Sequence, residues 1–386
     1  MEKVPKGRKL FATNHDVGSA QAMIPVLSQL KARGDAVLTF SVQDAPAGVA
    51  FQLAGLGPLI QSPELVNLQT IRSILEVEKP DAILVGVSNK DDGSEKLALQ
   101  AAVEMGIPSL VVLETWPKAW MDLRGSRDIP LYTRASCVCV PDSVSREILL
   151  KSGFAEARIA VTGNPCHDDL AEFKRERQAL RSEYRSRLGL PQDAVVFLWC
   201  VTYDLDDPAM NTPDYVGWLG IREEELALEF LTSMRDYCCL GDPPLHAFLR
   251  QKPSYRSDRV RQLIADTCPA VAFDNANDRR GIPALLAADI VAGHSTIVIQ
   301  TAALLGIPAV YYMPKLTRDD PMVTNALGLT APMYREGQLR ELIRELASDP
   351  AKTIGDIRSQ MRSMDLPENA AGNVVEEIDR RLRLRI

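Results

Sequence analysis

In the stretch FATNHDVGSA an apolar run hands over to a helix, and the turn between them holds His15, Asp16, Gly18 and Ser19. An imidazole at a strand's carboxyl end titrates near neutrality and suits general-base work. Asp16 is placed to orient it, to cap the helix or to touch a substrate, and as a plain turn former it needs none of these roles. Gly18 and Ser19 allow close backbone approach and a cap. Two more carboxylates follow in the first half. Glu114 ends the run SLVVLET beside Trp116 and Trp120. Indole faces raise a carboxyl pKa and also suit pyranose rings, whereas the plainer alternative is a surface glutamate beside a hydrophobic lid. Glu95 follows the capping candidate Ser94, as a substrate contact or as a simple complement to the helix dipole.

The second half holds the turn DIVAGHSTIVIQTAALLGIPAV. Here a strand ends at Gly293, His294 follows, and Ser295 sits where an N-cap is wanted. The helix should run to about Leu305, with Gly306 as its stop before Pro308. Free N–H groups of Ser295, Thr296 and Ile297, with the positive end of the helix dipole behind them, would form a site for a phosphate or diphosphate. A plain serine cap explains the same pattern. The run LHAFLR delivers Arg250 and then Lys252, two cations suited to neutralising a diphosphate. Asp204, Asp206 and Asp207 in VTYDLDDP read as a solvated acidic loop, so no metal is expected. His167 and His246 carry no assigned role. The chain has no P-loop, no GxGxxG after its first strand, no GxSxG elbow and no HExxH.

These turns need elements to hold them. Strand candidates in the first half are KLFAT, DAVLTFS, DAILVGV, SLVVLET, CVCVP and IAVTG; in the second they are AVVFLWCV, LHAFLR, AVAFD, DIVAG, AVYYM and, more weakly, GLTAP. Amphipathic stretches such as EELALEFLTSMRDYC and EGQLRELIRELASD lie between them. Strands this apolar, alternating with helices, indicate parallel sheets covered on both faces. The fold class is therefore α/β, with two doubly wound Rossmann-like domains and ligands at the carboxyl ends of their strands, most naturally in a cleft between domains. Residues 1–165 should form the first domain and 166–366 the second. A last helix in 367–386 would pack back on the first.

At 386 residues the chain is long enough for two domains of roughly 100–200 residues each. A net charge of -7 gives no electrostatic reason for a nucleic-acid or anionic-membrane partner. The apolar region from Ala288 to Met313 is interrupted by His294, Ser295, Gln300, Thr301, Gly306 and Pro308, which argues against a membrane span. Seven cysteines without a CxxC pair make neither a disulfide nor a zinc pattern by spacing. Cys137, Cys139 and Cys200 read as buried thiols. No secretory signal is visible, and a reducing, cytoplasmic setting is expected.

The stretch DSVSREILLKSGFAEARIAVTGNPCHDDL resembles the hinge segment of GT-B fold enzymes, especially the UDP-N-acetylglucosamine 2-epimerases. LLAADIVAGHSTIVIQTAALLGIPAV resembles the nucleotide-binding strand and helix of that superfamily. The HDVGSA turn, followed by SEKLALQAAVEMGIPSLVVLETW, is similar to glycosyltransferase-like proteins of bacterial polysaccharide loci. The resemblance implies a nucleotide-sugar substrate held chiefly by the second domain, no resident cofactor, and an acceptor facing the first. It leaves room for a homodimer. It implies that Ser295 and Thr296 meet phosphate, that Arg250 and Lys252 form a basic loop, and that His15 is the base. It aligns Glu114 with a catalytic carboxylate of the epimerases. Asn164 in the hinge, with His294, Gln300 and Thr301 around the glycine turn, completes the binding set. Where the family holds the ribose with a glutamate, this chain has Thr301 preceded by Gln300. It also has VTYDLDD in place of a basic-acidic cluster and SNKDDG in place of an aspartate turn. The expectation is a glycosyltransferase with His15 as base. The alternatives are a nucleotide-sugar 2-epimerase, non-hydrolysing or hydrolysing, that uses Glu114, and an inactive binding subunit.

Overall fold

The computed structural model describes residues 7–42, 45–57, 66–88, 93–116, 129–215, 218–252, 255–276, 281–363 and 367–383. The chain forms two compact units, residues 1–169 together with 365–386, and residues 170–364.

The first unit is built on a six-stranded sheet. Its strands are β1 (Lys9–Thr13), β2 (Ala36–Phe40), β3 (Ala82–Val85), β4 (Ser109–Val112), β5 (Cys137–Val140) and β6 (Ile159–Val161), in the order β2-β1-β3-β4-β5-β6. Every pairing is parallel. Strands β3, β4 and β5 are buried at every position because helices cover both faces, which is why their sequences are apolar without alternation. The helix after β1 spans Val17–Ala32 and runs through Pro25, so it starts earlier than a proline stop would require. The final helix, Ala370–Arg383, belongs to this unit. Ala371, Val374, Val375 and Ile378 pack with Leu10, Met23 and Leu27, while the Asp168 carboxylate accepts from Ala370 N at 2.7 Å and Ala371 N at 2.9 Å, taking up two of the helix's free amides.

The second unit repeats the plan. Strands β7 (Val195–Val201), β8 (Leu245–Gln251), β9 (Ala272–Asp274), β10 (Ile290–Gly293), β11 (Ala309–Tyr312) and β12 (Ala331–Met333) lie in the order β12-β11-β10-β7-β8-β9, again all parallel. One face of the sheet packs Phe197, Trp199 and Leu249 against Phe230 and Leu231 of the helix Glu223–Tyr237. The other face packs Val196, Leu198 and Phe248 against Leu285, Ile299 and Ala302. All twelve apolar runs named from the sequence, the weak GLTAP included, overlap a strand of these two sheets.

In both sheets the strand order reverses beside the first strand of the unit, between β1 and β3 in one and between β7 and β10 in the other. Loops leaving the carboxyl ends of such neighbours go to opposite faces and open a crevice, the usual ligand position in this architecture.

Candidate functional site

In the first unit the crevice between β1 and β3 is laced by short polar contacts. Asn14, directly after β1, accepts from Gly86 N at 2.9 Å through Oδ1. Ser19 Oγ donates to Val87 O at 2.7 Å and accepts from Val87 N at 3.3 Å. Thr13 Oγ1 donates to Ser94 Oγ at 2.7 Å. Gly86 is required there: a Cβ would lie 2.5 Å from Asn14 Oδ1 and 2.6 Å from Ser19 Cβ. The sequence places Ser19 in this turn but gives no sign of Asn14 or Gly86, whose partners come from the other strand.

Around this frame sit three carboxyls. Glu95 is fully buried; Ser88 Oγ donates to its Oε1, and Oε2 has no hydrogen-bond partner. Burial raises its pKa, Ser88 and its own backbone N–H pull it down, and the Asp16 charge pushes it up again. Glu114 lies beside Gly18, whose would-be Cβ is 3.8 Å from Oε1, and its Oε2 is buried and unpartnered. Burial lifts its pKa to about 7, with the Ser19 hydroxyl and its own N–H opposing and the Asp16 and Glu95 charges adding to the rise. The raised pKa therefore comes from burial and neighbouring carboxyls. Trp116 is buried, and Trp120 lies outside the described residues. A carboxyl near pKa 7 exchanges protons in both directions at neutral pH, which is what a general acid–base needs.

Asp16 holds the N-cap backbone position of Val17–Ala32 without a side-chain cap bond. His15 is partly buried, and among the described residues its ring makes no hydrogen bond. Asn164 donates to Glu114 O at 2.7 Å and accepts from Cys166 N at 3.0 Å, so its amide shapes the turn that carries Glu114.

In the second unit the turns after β7 and β10 meet where Ser295 N donates to Thr202 Oγ1 at 3.3 Å. The helix spans Ile297–Leu304, and its N-cap is Thr296, whose hydroxyl accepts from Val298 N at 3.3 Å. This corrects the expectation of a Ser295 cap: the strand-to-helix turn is one residue longer, and the Ser295 amide is turned to Thr202. Gln300 and Thr301 do not stand free either. Gln300 hydrogen-bonds the Tyr311 hydroxyl, which itself donates to Thr296 O at 3.0 Å, and Thr301 Oγ1 donates back to Ile297 O at 3.2 Å. Both side chains brace the helix start.

Arg250 also departs from expectation. The register pairs Arg250 on β8 with Asp274 on β9, and the two form a buried ion pair. Its remaining donors go to Tyr184 Oη at 3.0 Å and Ala276 O at 2.8 Å. Arg250 is thus a structural cation instead of a diphosphate ligand. Lys252, two residues on, is exposed with Nζ 5.3 Å from the centre of the Tyr255 ring. The acidic loop is occupied by turn-forming bonds: Asp204 Oδ1 accepts from Asp206 N and Asp207 Oδ1 from Ala209 N.

What the sequence missed is Glu223. It opens a helix that reads as plainly amphipathic, yet it is fully buried and its Oε2 lies 4.0 Å from Nδ1 of His294. Burial raises the Glu223 pKa to about 8, against the pull of the Thr202 and Tyr203 backbone N–H groups. Burial, with a smaller contribution from the Arg318 charge, lowers His294 to about 3, and neither ring nitrogen has a hydrogen-bond partner. Tyr203 packs edge-on against the His294 ring at 5.8 Å and against Tyr215 at 5.3 Å. An uncharged acid and an uncharged imidazole thus lie directly beneath the Ser295 turn.

No protein-family model matches the chain, and no curated protein matches it. Solved structures do. MnaA of S. aureus, in a co-structure with UDP, is similar with a TM-score of 0.68 at 12% identity, covering 98% of this chain and 97% of that one. The UDP-GlcNAc 2-epimerase of Neisseria meningitidis bound to UDP-GlcNAc gives 0.65 at 17%, over 97% of this chain and 100% of that one. MurG of Acinetobacter baumannii gives 0.58 at 15%, over 97% and 100%. Likeness at such identities is likeness of fold, and together with the two parallel six-stranded sheets it establishes that this chain has the GT-B fold.

Proposed function

We propose that the protein acts on a UDP-N-acetylhexosamine and inverts carbon 2 of the sugar, with Glu114 as the proton-transferring group. The observation that carries this reading is the buried Glu114 carboxyl, lifted to about 7 among Glu95 and Asp16 at the crevice of the first unit. Inversion at carbon 2 removes a proton from one face and returns one to the other. A carboxyl half-ionised at neutral pH takes the proton on its own face in one direction of the reaction and donates it in the reverse, while water or a second acid supplies the opposite face. The carbon 2 proton is lost readily only if the bond from carbon 1 to the diphosphate breaks with it. The leaving charge then needs stabilisation by amide or cationic donors. UDP-GlcNAc 2-epimerases recur among the structures of like fold, in line with this reading over simple transfer.

The test is incubation with UDP-GlcNAc in deuterium oxide. Deuterium should enter carbon 2 with formation of the 2-epimer, and Glu114→Gln should slow the exchange by about 10²–10⁴-fold. A second reading, glycosyl transfer, rests on His15, whose ring is left without a hydrogen bond among the described residues beside this cluster. Release of UDP that requires an added acceptor, with no deuterium in the sugar and loss on His15→Ala, would favour it. If no nucleotide-sugar raises the melting temperature, both readings fall in favour of a non-catalytic binding protein.

A further inference from the structure

At the end of the second sheet opposite the Ser295 turn, Cys238, Cys239 and His246 come together across the loop that joins a helix to β8. Cys238 caps the carboxyl end of the helix Glu223–Tyr237, Cys239 follows it, and His246 is the second residue of β8. One ligand atom from each lies within 4.8 Å of the others. Two backbone bonds fix the arrangement: Cys239 N donates to Leu245 O at 2.7 Å, and Leu245 N donates to Leu240 O at 2.8 Å, closing the loop between helix and strand. Cys239 has φ +65, the left-handed region that a non-glycine residue adopts at a cost of roughly 1–2 kcal/mol. That conformation turns two successive side chains to one side, and the two sulfurs lie 3.8 Å apart.

We propose that Cys238, Cys239 and His246 form a site for a thiophilic d¹⁰ cation, zinc in the first instance. The sulfur separation is what tetrahedral zinc requires, since two thiolates each about 2.3 Å from the ion stand about 3.8 Å apart. Imidazole is a natural third ligand. Cys268, the C-cap of the helix Asp258–Thr267, neighbours Cys238 but stands outside the group of three, which leaves the fourth position to water. Cys239 is exposed, giving the ion a way in. The site stands away from the carboxyl ends of the strands, so its role is to clamp the helix end to the start of β8, not to take part in turnover. No local motif announces it, because the ligands are a vicinal cysteine pair and a histidine joined by a tight loop.

The test uses the full-length protein, kept reduced with a phosphine and stripped of metal by chelator dialysis. Zinc should be retained at one ion per chain after desalting and should raise the melting temperature. Cobalt should give the strong near-ultraviolet thiolate charge-transfer band and the visible bands of a tetrahedral site. Cys239→Ser should weaken the charge-transfer band, the Cys239→Ser/His246→Gln double variant should abolish retention, and Cys166→Ser in the other unit should change neither. A weak octahedral cobalt spectrum in the wild-type protein overturns the proposal without recourse to any variant, as does equal zinc retention by the wild-type and double-variant proteins.

Discussion

Glu223 and His294 are displaced from their ordinary pKa values in opposite directions, and the stability of the second unit should record both. Glu223 is raised from 4.5 to about 8, so the folded chain keeps a proton that the unfolded chain has released. Its contribution is fully present below pH 4.5 and is lost as pH rises through about 8. His294 is lowered from 6.5 to about 3, so the folded chain lacks a proton that the unfolded chain carries. Its contribution is present above pH 6.5 and is lost as pH falls towards 3. Melting temperature measured against pH should therefore decline on the alkaline side as pH approaches 8. Glu223→Gln keeps the shape of the side chain without its titration and should flatten that decline; an unchanged profile would show that the carboxyl is not held protonated.

At the scale of elements, the pairing of β8 with β9 decides what Arg250 does. The parallel register sets Arg250 opposite Asp274, and both side chains are buried. Removing one partner of such a pair leaves an uncompensated buried charge. Asp274→Ala should therefore destabilise the second unit by about 3–5 kcal/mol in denaturant unfolding and, under the proposed function, leave UDP affinity little changed in the protein that remains folded. A selective loss of UDP affinity at unchanged stability would return Arg250 to the ligand. The Ile297–Leu304 helix makes the same point more gently. Its start is braced by the Thr296 cap and by the Gln300–Tyr311 contact, so polar residues that look available in the sequence are already engaged.

For the molecule as a whole, two compact units with separate cores should melt in two steps. The last helix belongs to the first unit, with Val374 and Ile378 fully buried there. Deleting residues 367–386 should lower one calorimetric transition, since each large apolar side chain so exposed costs roughly 1.5–3 kcal/mol, and leave the other in place. Equal displacement of both transitions would show that the helix is shared. Among the described residues no helix is long and apolar enough to cross a membrane.

The strands were legible in the sequence because an apolar run bounded by Gly, Pro or Asp is a local signal, and burial on both faces leaves no other pattern for a parallel strand. The turns after β1 and β10 were legible for the same reason, as points where an apolar run gives way to capping residues. By itself the sequence determined the α/β class, the two series of strands and the neighbourhoods of His15, Glu114 and Ser295. Only the tertiary structure decided which polar groups are engaged and which are stranded. Arg250 meets Asp274 through sheet register, Glu95 and Glu114 share a neighbourhood because they follow the paired strands β3 and β4, and Glu223 reaches His294 from the start of a distant helix. Charge, desolvation and coordination depend on distances in space, and chain separation does not encode these until the sheets have closed.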